Sequence, residues 1–331
     1  MVTAVGSREI TYLQAVREAL SRALAADPRA FLMGEELGTY GGVFRATEGL
    51  LEQFGPERVR DTPIAETGFV GAGVGAAIVG RRPIVEVMFM DFIACAMDPI
   101  VNHAAKLRTM TGGQIRVPLV IRTQGGTGTR HGAQHSQMLE SWFTHVPGLA
   151  VVMPSTPQDV LGLFQTAMTV EDPVLFVEHR MLYKTKGMVA DDIAPIPFGR
   201  ASVRRRGKDL TIVATSFMTV KALDAAEQLA GEGIDVEVID PRTLVPLDLA
   251  TILESLARTH RILAVHEEVE RSGWGGELIA SVVAEGFDEL DAPPRRLGSK
   301  NVPMPFGLEL EAAVVPQVAD IAQAARQLMH G

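Results

Sequence analysis

Short apolar runs recur along this chain at intervals that leave room for a helix between neighbours, and this spacing constrains the fold more than any other feature. Ala30 to Met33, Pro83 to Met88, Val117 to Ile121, Leu149 to Met153 and Val174 to Val177 read as strands. Their apolar residues run on rather than alternate with polar ones, as strands covered on both faces require. Helical patterns lie near Met97 to Met110, Ser136 to His145 and Thr156 to Ala167. Thr156 suits an N-cap, and Pro157 the first helical position, where a missing N–H costs nothing. Nearer the start, Thr11 and Gln14 have capping-box spacing, and Leu13, Val16, Leu20 and Leu24 follow at helical intervals up to Pro28. The alternation predicts an α/β fold, a parallel sheet covered by helices.

The pattern dissolves between Lys184 and Asp209, a stretch with scattered charge and three consecutive arginines, Arg204 to Arg206. No aromatic side chains interleave those arginines, so the stretch reads as a linker with a solvated basic edge rather than an RNA-binding arm. Alternation then restarts with strands at Leu210 to Ala214, Val236 to Ile239 and Ile262 to Val265. Helices are expected at Val220 to Gly231, Leu247 to Leu256, Glu277 to Ala284 and Gln317 to Met329. The organisation expected is therefore an α/β domain over residues 1–190, a linker over 191–208 and a second α/β domain over 209–331. With 331 residues the chain has ample length for both.

Composition removes several classes of function. Lys and Arg number 31 against 40 Asp and Glu, a net charge of −9, which argues against a general hold on nucleic acid or anionic lipid. The single cysteine, Cys95, has no intramolecular disulfide partner, and Arg8 and Glu9 stand where a signal peptide needs an apolar core, so a cytoplasmic protein is expected. The uncharged run Thr67 to Gly80 is shorter than the about 20 apolar residues of a membrane-spanning helix.

Two short motifs suggest chemistry and are outweighed by their surroundings. Gly71 to Ala76 reads GAGVGA, which satisfies the dinucleotide fingerprint, with Asp91 at the right remove for a ribose contact. A fingerprint must follow directly on a buried strand, and here a proline and several charges precede it. The expected structure is instead a glycine and alanine helix whose small faces let another helix approach. His131, His135 and His145 form a histidine group, but Gly132 interrupts the first pair and no HExxH or CxxC completes a ligand set, leaving a zinc hydrolase as a minor alternative. His266, followed by Glu267 and Glu268, lacks a second histidine at ligand spacing.

Longer phrases carry more. DTPIAETGF (61–69), RPIVEVMFMDF (82–92), GAQHSQ (132–137), HVPGL (145–149), PSTPQD (154–159) and EHRMLY (178–183) occur in this order. They are followed by DPRTLVPLD (240–248), VHEEVERSGWGGELIA (265–280) and VPMPFGLELEAAVVPQ (302–317). Over essentially its whole length the chain resembles the β subunit of the thiamine-diphosphate-dependent first component of 2-oxo acid dehydrogenase complexes. The resemblance implies a pyrimidine-type thiamine-diphosphate-binding domain followed by a transketolase C-terminal-like domain.

It also implies roles. Glu66 would bond the aminopyrimidine ring, favouring the imino tautomer whose nitrogen removes a proton from the thiazolium carbon. Phe92 would pack on the pyrimidine ring, and Glu35 would belong to the cofactor-side hydrogen-bond network. His135 would stand near the substrate carbonyl and the incoming lipoyl group as a donor or proton carrier. Some members bind potassium through main-chain carbonyls, which by position would be those of Leu119, Ala167, Met168, Val170 and Asp172.

An absence completes the sequence reading. Thiamine diphosphate needs magnesium held by a Gly-Asp-Gly element and a downstream Asn, yet the sequence has no Gly-Asp-Gly, and its only asparagines are Asn102 and Asn301. The resemblance thus implies an α subunit that binds Mg2+ and the diphosphate, in an α2β2 heterotetramer, and a lipoyl-bearing acyltransferase as acceptor. Pyruvate is the leading substrate, then acetoin, then branched-chain 2-oxo acids. The rivals from other classes are an NAD-dependent dehydrogenase built on GAGVGA and a catalytically idle scaffold.

Overall fold

The computed structural model describes residues 6–330, which divide into two compact units. The first takes the chain up to Gly125 and resumes at Trp142–Phe198; the second takes Gly126–Ser141 and everything from Gly199 onward. Among the described residues, no helix is long and apolar enough to cross a membrane.

In the first unit, strands Ala150–Val152, Val174–His179, Val120–Gly125, Arg82–Val87, Ala30–Gly34 and Val59–Asp61 lie side by side in that order. Every neighbouring pair is parallel. Arg82–Val87, Val120–Gly125 and Val174–His179 are buried at every position, the pattern expected of strands covered on both faces. The first helix, Tyr12–Ala26, has its capping box: the Gln14 amide donates to Thr11 Oγ1 at 3.1 Å, and Thr11 N donates to Gln14 Oε1 at 2.8 Å. Its buried stripe of Val16, Ala19, Leu20, Ala23 and Leu24 packs against helix Pro157–Ala167, which is capped by Thr156 with Pro157 at its first position. Ahead of it, strand Ser7–Thr11 pairs antiparallel with Lys186–Ala190, inside the stretch read from sequence as structureless.

Helix Glu66–Ile78 contains all three glycines of GAGVGA. They lie inside the helix rather than in a strand-to-helix turn, so their amides serve the helix and cannot cradle a pyrophosphate. The small face meets the sheet at Gly73, where a Cβ would stand 2.7 Å from Val85 Cγ2, and the helical turn Asp98–Ala104 at Gly71, where it would stand 3.9 Å from Pro99 Cβ, whereas one on Gly75 would meet nothing within 4 Å. The helix expected over Met97 to Met110 is also corrected. It is broken into a 3-10 turn at Met90–Ala96, a wider π-type turn at Asp98–Ala104, where Ala105 N donates to Ile100 O at 3.0 Å, and a short helix at Leu107–Met110.

The second unit's sheet runs in the order Arg295–Ser299, Ile262–Val269, Leu210–Ala214, Val236–Asp240, Ser202–Arg205. All pairs are parallel except the last, an antiparallel edge. Ile212, Val238, Leu263 and Val265 form its core with Ala222, Ala226, Leu229, Ile321 and Ala325 from helices Phe217–Ala230 and Val318–His330. The edge strand corrects the solvated basic linker. Arg204 pairs with Asp240 at 2.7 Å and Arg205 with Asp235 at 3.0 Å, neutralising acids of the neighbouring strand and its approach, while Arg206 stays solvated, 74% exposed, with Glu237 at 3.5 Å. Ile262–Val269 continues past Val265 through His266, Glu267 and Glu268, which are all buried.

Candidate functional site

Strand Ala30–Gly34 has the next strand of the chain, Val59–Asp61, on one side and the one after, Arg82–Val87, on the other. The connections leave in opposite directions, and a sheet of this kind opens a crevice beyond the carboxyl ends of its strands at that reversal. Three of the residues singled out from sequence follow these strand ends. Glu35 comes immediately after Gly34, Glu66 opens the helix after Val59–Asp61, and Phe92 lies in the turn after Arg82–Val87.

Glu35 is 5% exposed and Glu66 8%. Burial, reinforced by the charges of Glu66, Glu36 and Glu86, pushes the Glu35 carboxyl up to about 7. Its Oε1 is buried with no hydrogen-bond partner. Two nearby carboxyl groups held out of water, one with an orphaned oxygen, form a site that wants a proton or a hydrogen-bond donor from a ligand. Phe92 is half-buried, its ring set edge-on to Phe89 with centroids 5.8 Å apart, and Phe44 packs on Phe89 at 5.5 Å. Thr67 Oγ1 donates to the Cys95 carbonyl, tying the start of the Glu66 helix to the turn that carries Phe92.

A charged group inside the sheet underlies this crevice. Fully buried Arg122 donates to both oxygens of Glu178, at 2.7 and 3.0 Å, and to Glu86. Gln124 donates to the other oxygen of Glu86 at 3.1 Å, and Tyr183 Oη to Glu178 at 2.8 Å. Burial pushes Glu178 up and Arg122 pulls it back, while burial beside Glu178 drives the Tyr183 hydroxyl well above its ordinary range. Arg122 joins the acids of the two strands that flank its own through a planar five-donor group, which a lysine could not do.

His135 belongs to the other unit, on segment 126–141, so the four residues named from sequence fall into a group of three and one apart. The helix expected over Ser136 to His145 shrinks to Glu140–Thr144. Ser141 N, in its first turn, donates to Glu268 at 2.7 Å, and ahead of the helix Thr127 N donates to Glu267 at 2.6 Å and Arg130 N to Glu311 at 3.1 Å. Glu140 is wholly buried with both carboxyl oxygens unpartnered, and burial beside Glu268 raises it well above the carboxylate range. His131 Nδ1 lies 2.6 Å from Thr129 Oγ1, and His145 falls in the first unit. Among the described residues, no three of His, Cys, Asp or Glu stand together as a metal set. Of the carbonyls named for potassium, that of Leu119 accepts from Val174 N at 2.9 Å, and that of Val170 from Arg82 Nη1 at 2.9 Å.

Residues 8–186 match the family described as transketolase, pyrimidine binding domain, and residues 199–321 the transketolase C-terminal domain. The chain is 45% identical to the mitochondrial pyruvate dehydrogenase E1 component subunit beta-2 of Oryza sativa subsp. japonica, across 98% of this chain and 87% of that protein. It is equally identical to the pyruvate dehydrogenase E1 component subunit beta of Rickettsia felis, across 97% and 99%. This chain belongs to the family of pyruvate dehydrogenase E1 β subunits. A solved structure, the inactive beta4 tetramer of a split gene transketolase, superposes with a TM-score of 0.80 at 25% identity, covering 97% of this chain and 98% of that one. Membership makes the chain a component of a thiamine-diphosphate-dependent 2-oxo acid dehydrogenase.

Within that family assignment, the Glu35 and Glu66 carboxyls fit an aminopyrimidine, because they offer acceptors and a proton site with no protein donor to satisfy the buried Glu35 oxygen. Sequence reasoning missed Glu267, Glu268 and Glu311. The only signal available was two consecutive acids closing a buried strand, in the phrase VHEEV.

Proposed function

We propose that this chain is the β subunit of a pyruvate dehydrogenase first component, acting with an α subunit in an α2β2 assembly and passing its acyl group to a lipoyl-bearing acyltransferase. The observation that carries this reading is the pair of buried carboxyls, Glu35 and Glu66, at the reversal point of a sheet in a chain 45% identical to pyruvate dehydrogenase E1 β subunits. When bound, thiamine diphosphate supplies the electron sink for breaking the bond between the keto carbon and the carboxylate.

The chain's own residues have narrower tasks. Glu66 holds a proton or hydrogen bond at the pyrimidine ring nitrogen, and Glu35, itself near neutrality in pKa, keeps negative charge from accumulating behind it. Phe92 orients the ring by packing, at no cost in charge. His135 serves as donor near the substrate carbonyl and the lipoyl sulfur. With no Gly-Asp-Gly in this chain, the α subunit supplies the hold on magnesium and the diphosphate. The single cysteine supports a cytoplasmic site of action.

The test is co-expression with the candidate α subunit and measurement of thiamine-diphosphate-dependent decarboxylation of pyruvate and 3-methyl-2-oxobutanoate and of carbon–carbon cleavage of acetoin to acetaldehyde, with this chain alone as control. Activity on pyruvate in the pair only, lost by two or more orders of magnitude in Glu66→Gln with assembly intact, is the expected result. Preference for acetoin or the branched acid would replace the substrate, and near-normal single-turnover decarboxylation by Glu66→Gln would remove Glu66 from the mechanism.

A further inference from the structure

Segment 126–141 carries His135, yet the first two-thirds of it forms neither helix nor strand. Gly132, at φ 73°, and Arg130, at φ 59°, adopt left-handed conformations that interrupt any regular ladder. Two backbone bonds within the segment, Gly126 N to Gln137 O and His135 N to Gly132 O, are both long at 3.4 Å. Shorter bonds tie it to other parts of the second unit.

Three buried glutamates accept these bonds. Glu267 Oε1 accepts from Thr127 N at 2.6 Å and from Thr127 Oγ1 at 2.8 Å. The two oxygens of Glu311 accept from Gly128 N and from Arg130 N, the latter at 3.1 Å. At the far end, Glu268 accepts from Ser141 N at 2.7 Å with one oxygen and from Trp274 N at 2.8 Å with the other. A single carboxylate thus caps the starts of helices Glu140–Thr144 and Trp274–Gly286. Between these anchors the Phe306 ring lies against Gly132 so closely that a Cβ there would stand 2.5 Å from it. The acceptors sit on rigid parts of the second unit, Glu267 and Glu268 on strand Ile262–Val269 and Glu311 on helix Leu308–Val314.

We propose that Glu267, Glu268 and Glu311 are positioning residues that fix the path of the His135 segment, and that acyl transfer to the lipoyl group depends on this anchorage. The inference rests on the reading that His135 acts in that transfer. Carboxylate-to-amide bonds are charge-assisted and stronger than neutral ones, so they hold an irregular loop where its own bonds do not. Removing Glu311 leaves the Gly128 and Arg130 amides to find water, which opens the segment, while Glu35 and Glu66 belong to the other unit.

The test uses the assembled complex with the α subunit and the variants Glu311→Ala, Glu311→Gln and His135→Ala. Amide exchange over 126–141 is read by mass spectrometry, and decarboxylation with an artificial electron acceptor and acyl transfer to a lipoylated domain are measured separately. Glu311→Ala should raise exchange over 126–131 by about tenfold or more and lower kcat for transfer by about as much, with a smaller loss in decarboxylation. Glu311→Gln, which keeps one acceptor oxygen but turns a donor NH2 toward the other amide and loses the charge, should recover only part of both. Should Glu311→Ala fail to assemble, Glu311→Asp, which withdraws the carboxylate by one methylene, is read in the same way. Unchanged exchange in the Ala or Asp variant overturns the anchorage by itself. A loosened segment with wild-type transfer overturns the dependence. Wild-type transfer in His135→Ala removes the role of His135, and the proposal with it.

Discussion

Replacing Glu35 by Gln removes a carboxyl whose protonation the folded chain favours. Its folded value of about 7 lies above the ordinary 4.5, so the folded state binds the proton more tightly than the unfolded one. The stability this contributes is complete below about pH 4.5, falls as pH rises toward about 7 and stays lost above that. A shift of that size corresponds to a ceiling of about 3 kcal/mol. Residual solvent screening reduces this to about 1–2 kcal/mol. Urea unfolding of wild type and Glu35→Gln at half-unit steps from pH 4.5 to 8 measures it. The variant should gain on wild type by about 1–2 kcal/mol across that window, with the gain levelling off above pH 7. Parallel stability curves would refute the argument that burial and the neighbouring Glu66, Glu36 and Glu86 charges hold this proton.

Arg122→Leu strands the buried carboxylates of Glu86 and Glu178 without their shared cation and should cost about 3–5 kcal/mol in urea unfolding; a loss under about 1 would show that those acids find other partners. Gly73→Ala drives a methyl to 2.7 Å from Val85 Cγ2 and should destabilise by about 1–3 kcal/mol. Gly75→Ala, with open space around it, should stabilise the same helix by about 0.5–1 kcal/mol, and calorimetry of the two variants side by side would expose any error in how the helix faces the sheet.

Where local chemistry decided the structure, the sequence could be read. The Thr11 capping box, the Thr156 and Pro157 helix start and the fully buried central strands each depend on residues within a turn or a strand of one another. Glu66 and Phe92 came from the family resemblance, and the strand order then explains why they and Glu35 follow neighbouring strand ends. The failures share another cause. The spacing over Ser136 to His145 yields a helix only at Glu140–Thr144, and the bonds from Thr127, Arg130 and Ser141 to carboxylates more than a hundred residues away leave no mark in it. Arg204 and Arg205 looked like solvated charge because their acidic partners, Asp240 and Asp235, are about thirty residues further on. The strand expected to stop at Val265 runs on through His266 to Glu268, because glycines at 273, 275 and 298 make room for the buried imidazole. Long-range pairing of polar groups leaves little trace in hydrophobic periodicity.

The division of the chain has a consequence for how it is made. Residues up to Gly125 and Trp142–Phe198 complete one unit, but segment 126–141 between them belongs to the other. During synthesis from the N-terminus, the strands of the first unit are all available while Glu267, Glu268 and Glu311 have yet to be polymerised. The stretch bearing His135 must therefore wait as a loose insertion in an otherwise finished unit, open to proteases and to wrong partners, until the last helices emerge. A chain truncated before Glu311 would keep every strand of the first unit and still lack the acceptors for Gly128 N and Arg130 N in that stretch.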